Sequence, residues 1–185
     1  MISSNDLRPG TTIEYENDVW QVVEFQHVKP GKGAAFVRTK LKNLRTGNVN
    51  EKTFRAGEKL ERALIEKKNM QFLYSSGDDY SFMDNETFEQ INISKEQLGT
   101  VVLYIKESTN VSIMFHNEKI LGVEAPNFIE LKIIETEPAF RGDTTQSGTK
   151  PAKLETGAVV NVPFFVLEGD TIKVDTRTNS YLERV

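Results

Sequence analysis

Hydrophobic and polar residues alternate along most of the chain in short runs, the period-two pattern of strands with one buried face. The clearest runs are 11–25, 34–54, 70–83, 101–105, 111–126, 129–138, 159–166 and 171–185. Turn-forming pairs separate or divide these runs, among them Asn17-Asp18, Thr46-Gly47 and Gly169-Asp170. The pattern therefore predicts an all-β protein.

Helical signals are few. Ser94 stands before Lys95-Glu96-Gln97-Leu98, and Gly99 follows them, so a short helix capped by these two residues is predicted. Residues 56–69 are ambiguous between helix and strand, because their charge pattern suits a helix but no apolar stripe continues past Leu60 and Leu64.

Short antiparallel strands commonly close into barrels, which removes exposed sheet edges, and a barrel of five or six strands needs about 60 residues. Breaks in the pattern near residue 63 and at Pro126 recur at about that interval. We therefore predict three small barrels in series, formed by residues 1–63, 64–126 and 127–185. The last two are similar in length and pattern, which favours a common oligonucleotide-binding (OB) type.

The cysteine content and the N-terminal sequence bear on the cellular compartment in which the protein is expected. The chain has no cysteine, which excludes disulfides and cysteine-ligated metals and fits a reducing compartment. The N-terminus has neither a basic nor an apolar signal region, and Asn161 and Pro163 interrupt the longest apolar stretch. We expect a cytoplasmic protein without a membrane partner.

The net charge of −4 is unevenly distributed. Residues 64–126 carry 10 Asp and Glu against 5 Lys and Arg, whereas residues 29–55 carry eight cations against Glu51 alone. These cations are Lys29, Lys32, Arg38, Lys40, Lys42, Arg45, Lys52 and Arg55. Such a density attracts phosphate groups, although a solvated charged face remains an alternative.

The strand predicted after residue 34 arranges three of these cations. Arg38, Lys40 and Lys42 alternate with Val37, Thr39 and Leu41, so the cations share one face and the other face packs. Every second residue of a strand is about 7 Å apart, comparable to the spacing of successive phosphates along an extended nucleic acid. The row suits binding to an RNA or DNA backbone without sequence readout.

Lys32 lies in the loop before this strand, with Gly31 and Gly33 on either side and Pro30 ahead. Both glycines permit a tight reversal, which would leave the Lys32 ammonium exposed at the tip. The loop is not a phosphate-binding P-loop, because Gln26 stands where its first glycine is required and Gly33 where Ser or Thr should follow the lysine.

Residues that carry catalytic or metal chemistry are scarce. His27 and His116 lack metal-ligand spacing and are expected to be structural or at the surface, and no carboxylate pair stands out. We expect no enzymatic activity, no metal and no cofactor.

Two long segments resemble the elongation factor P family of bacteria, whose relatives in archaea and eukaryotes carry hypusine. They are KPGKGAAFVRTKLKNLRTG, residues 29–47, and KPAKLETGAVVNVPFFVLEGD, residues 150–170. The resemblance extends over the whole chain. It implies an SH3-like (KOW-type) barrel followed by two OB barrels in an elongated, tRNA-like shape.

The resemblance also implies a function. Members of the family bind the ribosome between the peptidyl-tRNA (P) and exit (E) sites and relieve stalling at consecutive prolines. They stimulate peptide-bond formation by positioning the CCA end of the P-site tRNA. The partners expected for a monomeric chain are therefore the ribosome, its basic proteins facing the acidic middle barrel, and the P-site tRNA.

The same resemblance assigns roles to individual residues. Lys32 would be the tip, extended by a lysine-modifying enzyme and supported by Pro30, Gly31 and Gly33. The residues expected to face tRNA or ribosomal RNA are Lys29, Arg38, Lys40, Lys42 and Arg55. Those expected on the small-subunit side are Gly142, Asp143, Thr144, Tyr181 and Arg184.

A generic single-stranded nucleic-acid-binding protein built from OB barrels is the alternative. It should expose several aromatic side chains for base stacking. In this sequence most aromatics fall at positions of strands that are expected to face a core.

Overall fold

The structure, a computed structural model, describes residues 1–138 and 148–185, and in these ranges it consists mainly of antiparallel strands. The chain divides into two compact units. One comprises residues 1–68 and 113–122, and the other comprises residues 69–112 and 123–185. The prediction of an all-β chain is confirmed.

The first sheet has six strands in the order β1-β6-β2-β3-β4-β5. Their bounds are β1 Ile2–Ser3, β2 Thr12–Tyr15, β3 Asp18–Val28, β4 Phe36–Asn43, β5 Val49–Arg55 and β6 Lys59–Arg62. A 3₁₀ helix, Ser4–Asp6, follows β1. The ambiguous segment 56–69 is thus extended rather than helical, because Leu60 packs into the core as part of β6.

The first hairpin turns one residue earlier than predicted. Tyr15 pairs with Asp18, so Glu16 and Asn17 form the two-residue connection, with φ values of 51° and 61°. Positive φ at both positions is the geometry that matches the right-handed twist of the flanking strands. Asp18 belongs to β3, where its carboxylate accepts a hydrogen bond from the Val19 amide.

The other two sheets have five strands each. The second contains β7 Glu66–Ser76, β8 Asp79–Asp84, β9 Gln90–Ser94, β10 Asn110–His116 and β11 Lys119–Glu124. The third contains β12 Phe128–Thr136, β13 Thr149–Leu154, β14 Val159–Pro163, β15 Thr171–Asp175 and β16 Ser180–Arg184.

The second and third sheets share one strand order. They run β11-β10-β7-β8-β9 and β16-β15-β12-β13-β14, which in each case is fifth-fourth-first-second-third along the chain. In the third sheet β14 also contacts β16, which curls the sheet towards closure. This order is that of the five-stranded OB barrel, as the sequence predicted.

The short helix is also confirmed. Helix α1 spans Lys95–Leu98; the Ser94 hydroxyl accepts a hydrogen bond from the Gln97 amide, and the Gln97 side chain accepts one from the Ser94 amide. Gly99 follows with a φ of 55°, which favours glycine.

Residues 101–105 are not a strand, contrary to the sequence pattern. A 3₁₀ helix covers Gly99–Tyr104. Leu103 and Tyr104 pack against the core of the third sheet, and the Tyr104 hydroxyl donates a hydrogen bond of 2.9 Å to the Asn179 side chain. The apolar run is therefore used for packing on a neighbouring sheet instead of for strand pairing.

Each barrel buries the apolar face of its strands. The first core contains Leu7, Ile13, Trp20, Val22, Leu41, Phe54 and Leu60. The third contains Ile129, Leu131, Ile133, Ala152, Leu154, Ala158, Val160, Val162, Val166, Ile172 and Val174. Burial of such surface contributes about 25 cal/mol per Å² and is the main stabilising force of these small barrels.

Several aromatic side chains lie outside the cores, which the sequence pattern did not predict. Tyr74, Phe88, Phe128 and Phe165 are exposed by 53, 69, 46 and 59%. Alternation along a strand shows which residues share a face, but Phe88 and Phe165 lie in connections between strands, and Phe128 is the first residue of its strand.

Candidate nucleic-acid interface

The loop that carries Lys32 connects β3 to β4. Pairing between these strands ends at Val28 and Phe36, which leaves residues 29–35 as the connection. Lys32 is exposed, as are Gly31 and Gly33 beside it. Lys32 therefore presents its ammonium group to solvent.

The two glycines of this loop differ in conformation. Gly33 has a φ of 110°, whereas Gly31 is not among the residues with positive φ. A Cβ atom at Gly33 would meet only Pro30 Cγ, at 3.8 Å, and one at Gly31 would meet nothing within 4 Å. Gly33 is therefore required by the backbone conformation and not by lack of space, and Gly31 is required by neither.

Strand β4 presents the predicted row of cations. Val37, Thr39 and Leu41 are at most 1% exposed. Arg38 and Lys42 are exposed and Lys40 is half buried, so the three cations project from the opposite face. The alternation expected from the sequence is thus present in the fold.

Acidic residues on the neighbouring strands partly compensate the positive charge of this row. Lys40 lies opposite Glu24 on β3 and Glu51 on β5, and its Nζ atom is 2.9 Å from Glu24 Oε2. The hydrogen bond to Glu24 raises the pKa of Lys40 above its ordinary value of 10.5. Lys40 remains charged, but the Glu24 carboxylate already occupies a donor that would otherwise be available to a phosphate.

The other two members of the row have neutral neighbours across the strands. Arg38 lies between Gln26 and Thr53, and Lys42 lies between Gln21 and Val49. This distinction does not follow from the charges of residues 29–55, because Glu24 lies outside that segment. Alternation along residues 18–28 does not give this pairing, because the register between β3 and β4 shifts between Val22 and Glu24.

Two further cations among the eight in residues 29–55, Arg45 and Lys52, contact side chains of the first barrel. Arg45 Nη2 donates to Asp18 Oδ2 at 2.6 Å, and Asn43 Nδ2 donates to the same oxygen at 2.9 Å. The Arg45 guanidinium is the largest influence that holds the pKa of Asp18 below its ordinary 3.8, against burial, which raises it. Lys52 Nζ lies 4.8 Å from the centroid of the Tyr15 ring.

The remaining five cations make no ion pair with any residue in 1–138 or 148–185. They are Lys29, Lys32, Arg38, Lys42 and Arg55, all of them exposed. The first unit thus carries an exposed set of unpaired cations on the tip loop, on β4 and at the end of β5. Such a set can bind successive phosphates of a nucleic-acid backbone.

The residues expected on the small-subunit side belong to the second unit or are not described. Tyr181 is half buried and packs against the core of the third sheet. Arg184 Nη1 lies 3.5 Å from Asp170 Oδ2, and its guanidinium lies 5.6 Å from the centroid of the Phe165 ring. Gly142, Asp143 and Thr144 lie outside the described residues.

Both histidines have structural contacts. His27 Nε2 is 3.2 Å from the Asn5 carbonyl oxygen. His116 lies between the Leu64 carbonyl oxygen and the Glu14 carboxylate, at 2.9 and 2.8 Å. In the described parts of the chain, no three His, Asp or Glu side chains are grouped so that they could hold a metal ion. No helix within those same parts is long and apolar enough to span a membrane.

Three family models match consecutive parts of the chain. They are the elongation factor P KOW-like domain over residues 3–60, the elongation factor P OB domain over residues 65–123, and the C-terminal domain of elongation factor P over residues 129–184. The first match contains the tip loop and the whole of β4.

Curated relatives match over full length. Elongation factor P of Pelotomaculum thermopropionicum is 60% identical over 185 residues, which cover 100% of both chains. The factor of Natranaerobius thermophilus is 59% identical over 185 residues, covering 100% of this chain and 98% of the relative. The factor of Moorella thermoacetica is 58% identical over 184 residues, covering 100% of each.

Solved structures of a related fold match part of the chain. Translation initiation factor 5A from Methanococcus jannaschii superposes with a TM-score of 0.54 at 21% identity, over 66% of this chain and 92% of that one. A translation initiation factor eIF-5A family protein from Naegleria fowleri gives a TM-score of 0.54 at 16% identity. The match covers 66% of this chain and 96% of that one. At this identity the likeness concerns the fold alone.

The relatives are named as a translation factor and not as an enzyme. Full-length identity near 60% and three consecutive domain matches lead to one conclusion: the chain belongs to the elongation factor P family of translation elongation factors.

Proposed function

We propose that the chain binds the ribosome in the cytoplasm, beside the P-site peptidyl-tRNA and towards the exit site, and stimulates peptide-bond formation at consecutive prolines. The observation that carries the proposal is the position of Lys32. It is an exposed cation on a narrow loop and makes no ion pair among the described residues, and the strand that follows presents Arg38 and Lys42.

Most of the exposed cations would bind RNA phosphates, whereas Lys32 would position the reacting tRNA end. Arg38, Lys42, Lys29 and Arg55 would contact phosphates of the tRNA acceptor arm or ribosomal RNA, with Lys40 contributing less because of Glu24. Lys32 would contact the CCA end itself. Contacts that orient the reacting ends accelerate a reaction without bond chemistry by the factor, and several kcal/mol are available from orientation.

The flanking glycines support this use of Lys32. Gly31 and Gly33 lack side chains, so RNA can approach the loop closely. A lysine-modifying enzyme that lengthens Lys32 would extend its reach and add hydrogen-bonding groups. Intact mass of the protein from its native host, compared with that of Lys32→Ala, would show whether Lys32 is extended.

The remaining partners follow from charge and from the family. The acidic second barrel would face basic ribosomal proteins, and Tyr181 and Arg184 would lie towards the small subunit, where Gly142, Asp143 and Thr144 are also proposed to act. We expect the factor to act as a monomer.

The proposal is tested by in vitro translation of a reporter with a run of prolines. The wild-type protein should relieve stalling, and Lys32→Ala should lose this relief while it still binds ribosomes. Lys153→Ala is the matched control, because Lys153 is an exposed lysine in β13, far along the chain from the tip loop. If the wild-type protein neither bound ribosomes nor relieved stalling, the proposal would be wrong.

A further inference from the structure

The second unit contains a surface cavity of about 340 Å³ next to the exposed ring of Phe128. Phe128 and Ile129 at the start of β12 form its apolar wall together with Pro126. Lys106, Glu130 and Lys173 add charged groups to the same cavity. An apolar wall with a few polar groups is the usual composition of a binding site for a small, flat ligand.

Phe128 has cations close to its ring. The ring centroid lies 5.9 Å from Lys173 Nζ and 5.3 Å from the guanidinium carbon of Arg177. Lys173 borders the cavity and Arg177 does not. Despite both contacts, Phe128 is 46% exposed, so part of the ring remains available to a ligand.

Arg177 is fixed in this position by a neighbouring carboxylate. Its Nε and Nη2 atoms donate to the two oxygens of Asp175, at 3.1 and 2.8 Å. A guanidinium that is held in two hydrogen bonds loses little further freedom when a ligand arrives. Phe128 is therefore supported by a preorganised cation and does not depend on the ligand for its orientation.

Of the charged groups that line the cavity, the two lysines are already paired. Lys173 Nζ lies 3.3 Å from the Glu183 carboxylate. Lys106 Nζ donates to the Glu130 carbonyl oxygen at 2.8 Å and lies 3.5 Å from the Glu155 carboxylate. The side-chain carboxylate of Glu130, by contrast, makes no hydrogen bond or ion pair within residues 1–138 and 148–185. It is an unused hydrogen-bond acceptor beside an exposed aromatic ring.

We propose that this cavity binds one unpaired RNA base, stacked on Phe128, with the Glu130 carboxylate accepting a hydrogen bond from the amino group of the base. Bases that are not paired stack on aromatic side chains and are recognised along their edges. A carboxylate accepts from the amino group of cytosine, which uracil lacks. Lys106 and Lys173 are already paired with Glu155 and Glu183, so the base contact and not a phosphate contact defines the site.

The inference deepens the proposed function and rests on it, because a factor that binds the ribosome meets many unpaired bases. The lining of the cavity includes no residue of the tip loop and neither Tyr181 nor Arg184. The site adds a base contact from β12 to the phosphate contacts proposed for the first unit.

The test measures binding of the full chain to fluorescent single-stranded oligocytidylate and oligouridylate at one low ionic strength. Phe128→Leu keeps an apolar side chain but removes the aromatic face, and it should raise the Kd about fivefold or more. Phe165→Leu is the matched control, because Phe165 is also exposed and also lies near an arginine, yet it does not border the cavity. Its Kd should stay within about twofold of the wild-type value.

Glu130→Gln tests recognition of the base edge. It should reduce the preference for oligocytidylate over oligouridylate, whereas Glu135→Gln, on the same strand but outside the cavity, should leave that preference unchanged. Thermal unfolding of each variant confirms that the fold is retained. The inference is overturned if the wild-type chain binds neither RNA, if Phe128→Leu binds as tightly as the wild type, or if Phe165→Leu weakens binding equally.

Ribosome binding and proline-reporter translation are measured in parallel with the same proteins. Relief of stalling by the wild type, together with unchanged RNA affinity in Phe128→Leu, would remove the base site and leave the proposed function intact. Failure of the wild type to relieve stalling would remove the proposed function, whatever the oligonucleotide result.

Discussion

Alanine at Gly33 and alanine at Gly31 should affect the tip loop differently, although the two glycines flank the same lysine. Gly33 has a φ of 110°, which an L-residue rarely adopts, and Gly31 has no positive φ. Neither added Cβ would meet an atom closer than 3.8 Å. Backbone strain is therefore the property that distinguishes the two substitutions.

The magnitude follows from comparing the two variants. Each alanine restricts the unfolded chain equally, which stabilises the folded state by about 0.4–1 kcal/mol. Only Gly33→Ala adds the cost of a residue forced to positive φ, about 1–2 kcal/mol. Because the first contribution cancels, Gly33→Ala should be less stable than Gly31→Ala by about 1–2 kcal/mol.

Trp20 makes this difference measurable. It is the only tryptophan of the chain and is 9% exposed in the core of the first sheet, so its fluorescence reports unfolding of the barrel that carries the loop. With a denaturant dependence of about 2 kcal/mol per molar urea, the two midpoints should differ by roughly 0.5–1 M. Gly33→Ala should also relieve proline stalling less well, since relaxation of the strain would move Lys32.

Equal urea midpoints for the two variants, together with equal relief of stalling, would be the opposite of this expectation. That result would mean that alanine at position 33 is not strained at this φ, and that the φ does not set the position of Lys32.

Two further predictions concern charge. Arg38→Ala should weaken ribosome binding more than Lys40→Ala and reduce its salt dependence more, because Glu24 already pairs with Lys40 at 2.9 Å; equal losses measured by co-sedimentation across a salt series would contradict this. Asp18→Asn should destabilise the first barrel at neutral pH, because Arg45 holds the folded-state pKa of Asp18 below 3.8. The stabilisation that the Asp18 carboxylate gives the folded state is fully present above pH 3.8. It is lost as the pH falls through the lower folded-state pKa. Urea unfolding followed by Trp20 fluorescence should therefore show a gap between wild type and variant that narrows below pH 3.8, and a gap that widens there would be the opposite of the expected sign.

The faces of the strands were predictable from the sequence because side-chain direction alternates locally. Val37, Thr39 and Leu41 are buried, and Arg38 projects from the other face. The same holds for helix α1, whose capping residues lie within a few positions of it. Three sheets were likewise predictable, because each barrel uses strands that are consecutive in the chain.

Features that depend on pairing between distant residues could not be predicted in the same way. The contact of Glu24 with Lys40 depends on the register of β3 and β4, which shifts between Val22 and Glu24. A shift of one residue transfers a side chain to the other face of a strand, so a register error reverses the conclusion. Counting charges within one segment therefore overestimated the number of cations available to phosphate.

The misassigned segments have related causes. The first turn lies at Glu16 and Asn17 because Asp18 is needed in β3 to accept hydrogen bonds from Asn43 and Arg45. The run 101–105 has the composition of a strand, but Leu103 and Tyr104 pack on the third core. Phe128 is exposed although it begins β12, because exposure at a strand end depends on which other elements cover it in the fold.

We propose that Lys32 positions the peptidyl-tRNA and does not merely help the factor to bind. The most direct measurement is the single-turnover rate of proline–proline bond formation on ribosomes saturated with wild-type protein, Lys32→Ala or Lys153→Ala. The wild type and Lys153→Ala should accelerate the reaction, and the rate for Lys32→Ala should be lower by about tenfold or more, which corresponds to about 1.4 kcal/mol in the barrier. An equal rate for Lys32→Ala at saturation would contradict the claim.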